Sequence, residues 1–272
     1  MKKILTFCAL LCCFGTYAQN FEGIIKWSVA TEITDPETKA KMDEAAKKMS
    51  DPNTQAKMRE MQAKMDDPQF KKMMENNPQM KTQIEASMKM MQGGGIQNML
   101  PKGYEVHIKN NDMVTKFEGG VMANQEMLFL KENEKRYSID HQAKTYSTLS
   151  APPKSNETDA KVTKTTETMK VLGYTCTKYV VESDINGKKF KHVVWATDEI
   201  KNLDLKNLAS QRHQNGQAFS FEKIDGVPLK MEIFSKEGKM TMEAVTFKQQ
   251  TLPASEFAIP TGYKEVPPAF GF

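Results

Sequence analysis

From Pro101 onward, apolar side chains recur at every second position in short runs separated by turn residues, a pattern that no helix can bury on one side. Alternation of this kind lines one face of a β-sheet. The runs are Tyr104–Lys109, Met113–Glu118, Met127–Lys131, Lys135–Ile139, Lys144–Leu149, Thr163–Val171, Tyr174–Glu182, Lys189–Ala196, Ala218–Lys223, Leu229–Ser235 and Met240–Gln249. An earlier run, Phe21–Val29 (FEGIIKWSV), is also rich in β-formers. Asn186-Gly187, Asp225-Gly226 and Glu237-Gly238 stand between runs as hairpin turn residues, and polar Ala151–Thr158 reads as a linker. One short helix is expected near Leu203–Gln211. Strands about ten residues apart, with no helices alternating between them, predict an antiparallel meander rather than a parallel α/β sheet.

Between the first run and the others the composition changes. From Asp35 to Gln92 Met, Lys, Gln and Ala dominate, and Phe70 is the one aromatic between Trp27 and Tyr104. Asp35-Pro36, Asp51-Pro52 and Asp67-Pro68 each open a stretch, the first two being near copies (DPETKAKM and DPNTQAKM), and Asn77-Pro78 opens a looser fourth. Asp or Asn suits a helix N-cap and Pro suits the first helical position, so each pair restarts a short helix. Met42, Ala45, Ala46 and Met49 fall on one helical face, as do Met58, Met61 and Met65, and then Met80, Ile84, Met88 and Met91. Met73 follows Asp67-Pro68 in the third copy. Eleven basic and ten acidic side chains cover the remaining faces, as on a solvated surface. Gly93-Gly94-Gly95 closes the array with a flexible joint.

Residues 1–18 read as a secretory signal, with Lys2 and Lys3 leading an apolar run from Ile4 to Phe14 and small residues at Thr16-Tyr17-Ala18. The run is well short of the ~20 residues needed to span a bilayer. Cleavage near Ala18 is expected, giving an exported protein, periplasmic or extracellular. Three of the four cysteines leave with that segment, so Cys176 stands alone and an intramolecular disulfide is excluded from the mature chain. The 38 basic and 34 acidic residues become 36 and 34 once Lys2 and Lys3 are removed. That balance argues against nucleic acid or an anionic membrane as partner, and no later segment is apolar enough to be transmembrane.

The residues that carry chemistry elsewhere are scattered here. Cys176 lies in a strand between Tyr174 and Tyr179 with no base beside it, as a small buried hydrophobe would. His107, His141, His192 and His213 show no zinc-site spacing, and Asp140-His141 reads as a turn or surface pair. There is no nucleophile elbow, Walker-type loop or dinucleotide glycine fingerprint. No catalytic residues, metal ligands or cofactor-binding residues are assigned, and the chain is read as a non-enzyme. The clustered thioethers of Met58, Met61, Met65, Met73-Met74 and Met88 to Met91 suit Cu(I), but no His or Cys accompanies them. Thioethers also pack irregular apolar gaps, and flexible Met faces re-pack around varied apolar partners.

Several stretches resemble a known family. They are Val106–Phe117 (VHIKNNDMVTKF), the pair Lys135–Asp140 and Lys144–Tyr146, VLGYTCTKYVVES from Val171, VVWATDEI from Val193 and FAIPTGY from Phe257. They are similar to secreted bacterial proteins grouped as a domain of unknown function (the DUF4412 group), which look like the lipoprotein carriers and receptors of the Lol system. The resemblance implies a strongly curved antiparallel half-barrel whose concave face is covered by helices and, in the Lol carriers, holds acyl chains. The Met array departs from that pattern, and its Pro-punctuated helices also resemble the client-binding repeats of co-chaperones.

The fold class expected is therefore α+β. Residues 19–34 and 101–272 form a LolA-like half-barrel, and residues 35–100 form a Met-rich helical insertion between its first two strands. The expected function is non-enzymatic binding of a hydrophobic ligand, a lipid or lipidated peptide, in the sheet concavity. The candidate ligand or partner face is Met42, Met49, Met58, Met61, Met65, Met73, Met80, Ile84, Met88 and Met91. An envelope interaction or chaperone-like role for the same helices is the alternative, with a Cu(I)-binding module third.

Overall fold

The period-two runs become strands of one sheet. The structure is a computed structural model that describes residues 21–75, 84, 101–120, 122–150, 160–185, 188–203 and 223–268. The strands are β1 (Gly23–Ile33), β2 (Gly103–Lys109), β3 (Asp112–Glu118), β4 (Gln125–Leu130), β5 (Lys135–Asp140), β6 (Thr145–Leu149), β7 (Lys161–Val171), β8 (Tyr174–Ile185), β9 (Lys188–Thr197), β10 (Val227–Phe234), β11 (Gly238–Gln249) and β12 (Lys264–Glu265). Their order across the sheet is β12-β6-β5-β4-β3-β2-β1-β11-β10-β9-β8-β7. The sheet is large, curved and unclosed, with β7 and β12 at its edges.

Local turn chemistry accounts for several of the neighbours. Asn110 and Asn111 have φ of 51° and 68°, and Leu172 and Gly173 have φ of 52° and 86°. Paired positive φ values are what two-residue hairpins with the natural strand twist require. They join β2 to β3 and β7 to β8. Ile185 pairs with Lys188, the register expected of a two-residue connection, although Asn186-Gly187 lie outside the described residues. Ser235 N–H donates to the Gly238 carbonyl at 2.9 Å, closing the β10–β11 hairpin.

Two expectations need correction. The sheet is not one meander but two, which meet at β1. After β6 the chain crosses to the far edge and returns from β7 to β11, so β1 pairs with both β2 and β11. β12 then pairs parallel to β6. Asp225-Gly226 also makes no hairpin into β10, because β10 pairs with β9 on one side and with β11 on the other. Gly226 instead has φ +87°, and a Cβ there would lie 2.1 Å from the Thr197 carbonyl oxygen, so glycine is needed to open β10. The expected strand at Ala218–Lys223, apart from Lys223, and the expected helix past Leu203 lie outside the described residues, as do residues 1–18, 151–159 and Gly93–Gly95.

Between β1 and β2 the described residues hold three helices: α1 (Pro36–Ser50), α2 (Pro52–Asp66) and α3 (Pro68–Glu75). Each begins at an Asp-Pro pair. The Asp35 carboxylate accepts the Thr38 N–H at 2.8 Å, and Asp51 accepts those of Asn53 and Thr54 at 2.9 and 3.1 Å. Asp67 accepts the N–H groups of Gln69 and Phe70 at 2.8 and 3.2 Å. These caps satisfy N–H groups that a helix start leaves open. Glu37–Lys41, Glu44–Lys48 and Glu60–Lys64 pair one turn apart on exposed faces, where water screens them to weak helix support.

Candidate functional site

Alternation along β2 divides its side chains between two environments. Tyr104, Val106 and Ile108 enter the larger apolar cluster, whereas Glu105, His107 and Lys109 face the other way. The apolar face continues laterally through cross-strand neighbours. Towards one edge it includes Met113 on β3 and Phe129 on β4. Towards the other it includes Ile25 and Trp27 on β1, Met242 and Ala244 on β11, Leu229, Met231 and Ile233 on β10, and Val194 on β9. It ends with Tyr179 and Val181 on β8 and half-buried Val162 on β7. Ile25, Leu229 and Val194 are fully buried.

Few polar groups interrupt this surface. Arg136 lies across from Phe129, its guanidinium 5.2 Å from the ring centre, and burial lowers its pKa. His192, opposite Val181 and Ile233, stacks on Phe190 at 6.5 Å, and burial depresses it to about 4. It is therefore neutral at pH 7. Cys176 is fully buried in the same cluster, and burial raises its thiol to about 11, so it holds no nucleophilic thiolate near neutrality.

The nominated methionines divide into three groups. Met42 is half-buried on α1, on one stripe with Thr38, Ala45 and Ala46. On α3 it is Phe70 and Met74, four residues apart, that turn inward, while Met73 is 44% exposed. Ile84 is helical and half-buried. Met49, Met58, Met61 and Met65 lie within α1 and α2, and Met80, Met88 and Met91 fall outside the described residues. Sequence reasoning did not single out Met113, Met231 and Met242, which supply thioethers to the apolar sheet face itself. Their positions in period-two runs were the signal available.

On the opposite face, residues 252–263 lie as a strap over β3, β4 and β5. Leu252 and Phe257 of the strap bury a second apolar cluster with Val114, Leu128, Tyr137 and Ile139. Polar contacts tie the strap down along its length. The Leu252 N–H donates to Glu22 at 2.6 Å, and Lys109 donates to both Glu22 (2.8 Å) and the Leu252 carbonyl (2.5 Å). The Leu252 N–H first, and then Lys109, hold the Glu22 carboxyl below its ordinary range. His107 is buried between two carboxylates, with Nδ1 2.5 Å from Glu256 and Nε2 2.6 Å from Glu105. His141, in the turn after β5, contacts Tyr263 Oη at 3.0 Å and Glu126 at 3.2 Å.

A Glu–His–Glu arrangement resembles acid–base machinery, and sequence reasoning had nominated no such group. Glu256 is 149 residues from His107, a pairing that local spacing cannot reveal. Both ring nitrogens are engaged beneath the strap, so neither presents a lone pair or proton to a bound molecule. Among the described residues no group of three or more His, Cys, Asp or Glu side chains has the geometry of a metal site. The chemistry available here is that of holding a segment.

No curated protein matches the chain in sequence. Among solved structures it is similar to PNGF-II, at 15% identity and a TM-score of 0.37, with 65% of this chain and 30% of that one covered. It is also similar to LprF from Mycobacterium bovis, at 10% identity and a TM-score of 0.28, with 57% and 83% covered. The chain thus spans less than a third of PNGF-II. A family match covers residues 79–263, from before β2 to the end of the strap, and leaves β1 and α1–α3 outside it. Because that match spans more than half of its length, the chain belongs to the family described as a domain of unknown function (DUF4412).

Proposed function

We propose that this is an exported, non-enzymatic protein that binds a hydrophobic ligand, a lipid or lipidated peptide, against the apolar face of its sheet. The observation that carries the reading is the extent of that face: apolar residues continue from Phe129 on β4 to Val162 on β7 in a sheet that does not close on itself. A closed barrel turns such a surface into its own core. An unclosed sheet leaves that role to other parts of the chain, which bury Ile25, Leu229 and Val194 here, or to a ligand that takes their place. The resemblance to Lol carriers supports an acyl chain as one such cover, and the soft side chains of Met113, Met231 and Met242 suit an occupant of variable shape.

The test is extraction of the purified full chain with organic solvent, mass spectrometry of the extract, and uptake of a fluorescent fatty acid by the delipidated protein. Co-purified lipid with saturable uptake is expected. A clean extract together with no uptake overturns the reading.

A second reading is interaction with an envelope protein through α1–α3. It is favoured by Met73, 44% exposed, and by the exposure of most described side chains of α2. Deleting residues 35–92 separates the two. Lipid uptake survives the deletion if the sheet binds the ligand, whereas a partner captured by the intact chain is lost if the helices are the interface.

A further inference from the structure

The two histidines under the strap make different demands on protons. His141 lies between a phenol and a carboxylate. A neutral ring satisfies both, with Nε2–H donating to Glu126 and Nδ1 accepting from the Tyr263 hydroxyl. His107 lies between two carboxylates, and an ionised carboxylate only accepts. Both of its nitrogens must carry protons for both contacts to stand. Directly across from it on β1 and β3 are Ile24 and Val114, so no polar neighbour there replaces a lost contact. The charged groups nearby are Lys116, 3.7 Å from Glu256, the Lys26–Glu118 pair beside Glu105, and the Lys109–Glu22 pair at the start of the strap.

The two carboxylates also differ in freedom to leave. Glu105 is two residues from His107 on β2 and travels with it. Glu256 belongs to the short 3-10 turn Ala254–Phe257, whose fixed points lie outside it: Leu252 on Glu22 and Lys109, and Tyr263 on His141. Pro253 and Pro260 flank the turn. A ring with one proton leaves a nitrogen lone pair against a carboxylate oxygen, and the side of the clamp able to move is Glu256.

We propose that His107 is a proton-dependent latch on the C-terminal strap, in which the doubly protonated ring joins Glu105 of the sheet to Glu256 of the strap. Loss of one ring proton releases residues 254–259 and lifts Phe257 from Val114, Leu128 and Ile139, while both strap ends stay anchored. The latch lies on the face opposite the proposed ligand surface and does not depend on that reading.

The experiment uses the intact chain. His107 ring protonation is followed by its NMR resonances from acid to about pH 10, with amide exchange of residues 254–259 corrected for its intrinsic pH dependence. Protection of these amides is expected to fall roughly tenfold or more as the ring goes from two protons to one, because a charge-assisted contact is lost. Glu256→Gln is the discriminating variant. Its amide can donate to the deprotonated nitrogen, so the strap stays seated and protection changes by less than about twofold over the same range. Three results overturn the latch: protection that ignores the ring titration, a Glu256→Gln chain with wild-type pH dependence, or a ring that carries one proton with the strap protected. A ring that keeps both protons to about pH 10 also overturns it.

Discussion

The two faces of this sheet are built from the same strands, yet they are held by different forces. On β2 a one-residue step separates Val106, in a cluster that crosses most of the sheet, from His107, clamped between carboxylates. The apolar face is cohesive by area, has no directional requirement, and disfavours charge enough to keep His192 neutral. The strapped face covers a smaller apolar cluster, and its cover is placed by directional contacts from Glu22, His107, Lys109 and His141. Area makes a face stable, whereas charge-assisted hydrogen bonds make a segment's position specific and sensitive to protons.

The most forceful way to break this contrast is truncation at the centre of the apolar face. Ile25→Ala, at a fully buried position of β1, is expected to cost about 4 kcal/mol in urea unfolding. A loss of under about 1 kcal/mol would show that the face is loosely filled. Acid provides the next largest effect. Because burial depresses His192 to about 4, the unfolded chain takes up a proton that the native chain refuses, so stability falls as pH drops from about 6.5 towards 4. The loss approaches about 3 kcal/mol by pH 4, and comparing unfolding midpoints of wild type and His192→Gln across that window isolates it.

The strapped face should respond less. Phe257→Ala, at a nearly buried strap position, is expected to cost about 2 kcal/mol and to raise amide exchange in the strap before the central strands exchange. Uniform loss of protection over both faces would mean that strap and sheet unfold as one unit, which erases the distinction. The smallest effect belongs to neither face. Leu172 is exposed at a hairpin tip with φ of 52°, a conformation that Asn tolerates better than Leu, so Leu172→Asn is expected to stabilise by about 0.5 kcal/mol in the same assay.

Much of the local structure was legible beforehand. The run that became β8 was expected at Tyr174–Glu182 and is observed at Tyr174–Ile185, because alternation is a short-range signal. The Asp-Pro pairs cap and start α1, α2 and α3 for the same reason, since a cap involves residues only two or three apart. The candidate sites were less accessible. Helical spacing on α3 does not distinguish exposed Met73 from buried Met74, because the decision lies with whatever each side of the helix meets. Glu105 and His107 could be placed on one strand face, but Glu256 and Tyr263 reach that region only through a tail that returns across β3 and β4.

By itself, then, the sequence determined most of the described strands, the turn at Glu237-Gly238, the starts of the described Pro-initiated helices, and which side chains share a strand face. These follow from backbone stereochemistry and from periods of two and 3.6, which act over a few residues. Only the tertiary structure decided that two meanders meet at β1, that β12 runs parallel to β6, and that His107 finds its second carboxylate on a distant strap. Those outcomes depend on which surfaces pack together after long excursions of the chain. Loop closure costs grow only slowly with excursion length, so local sequence leaves such pairings open.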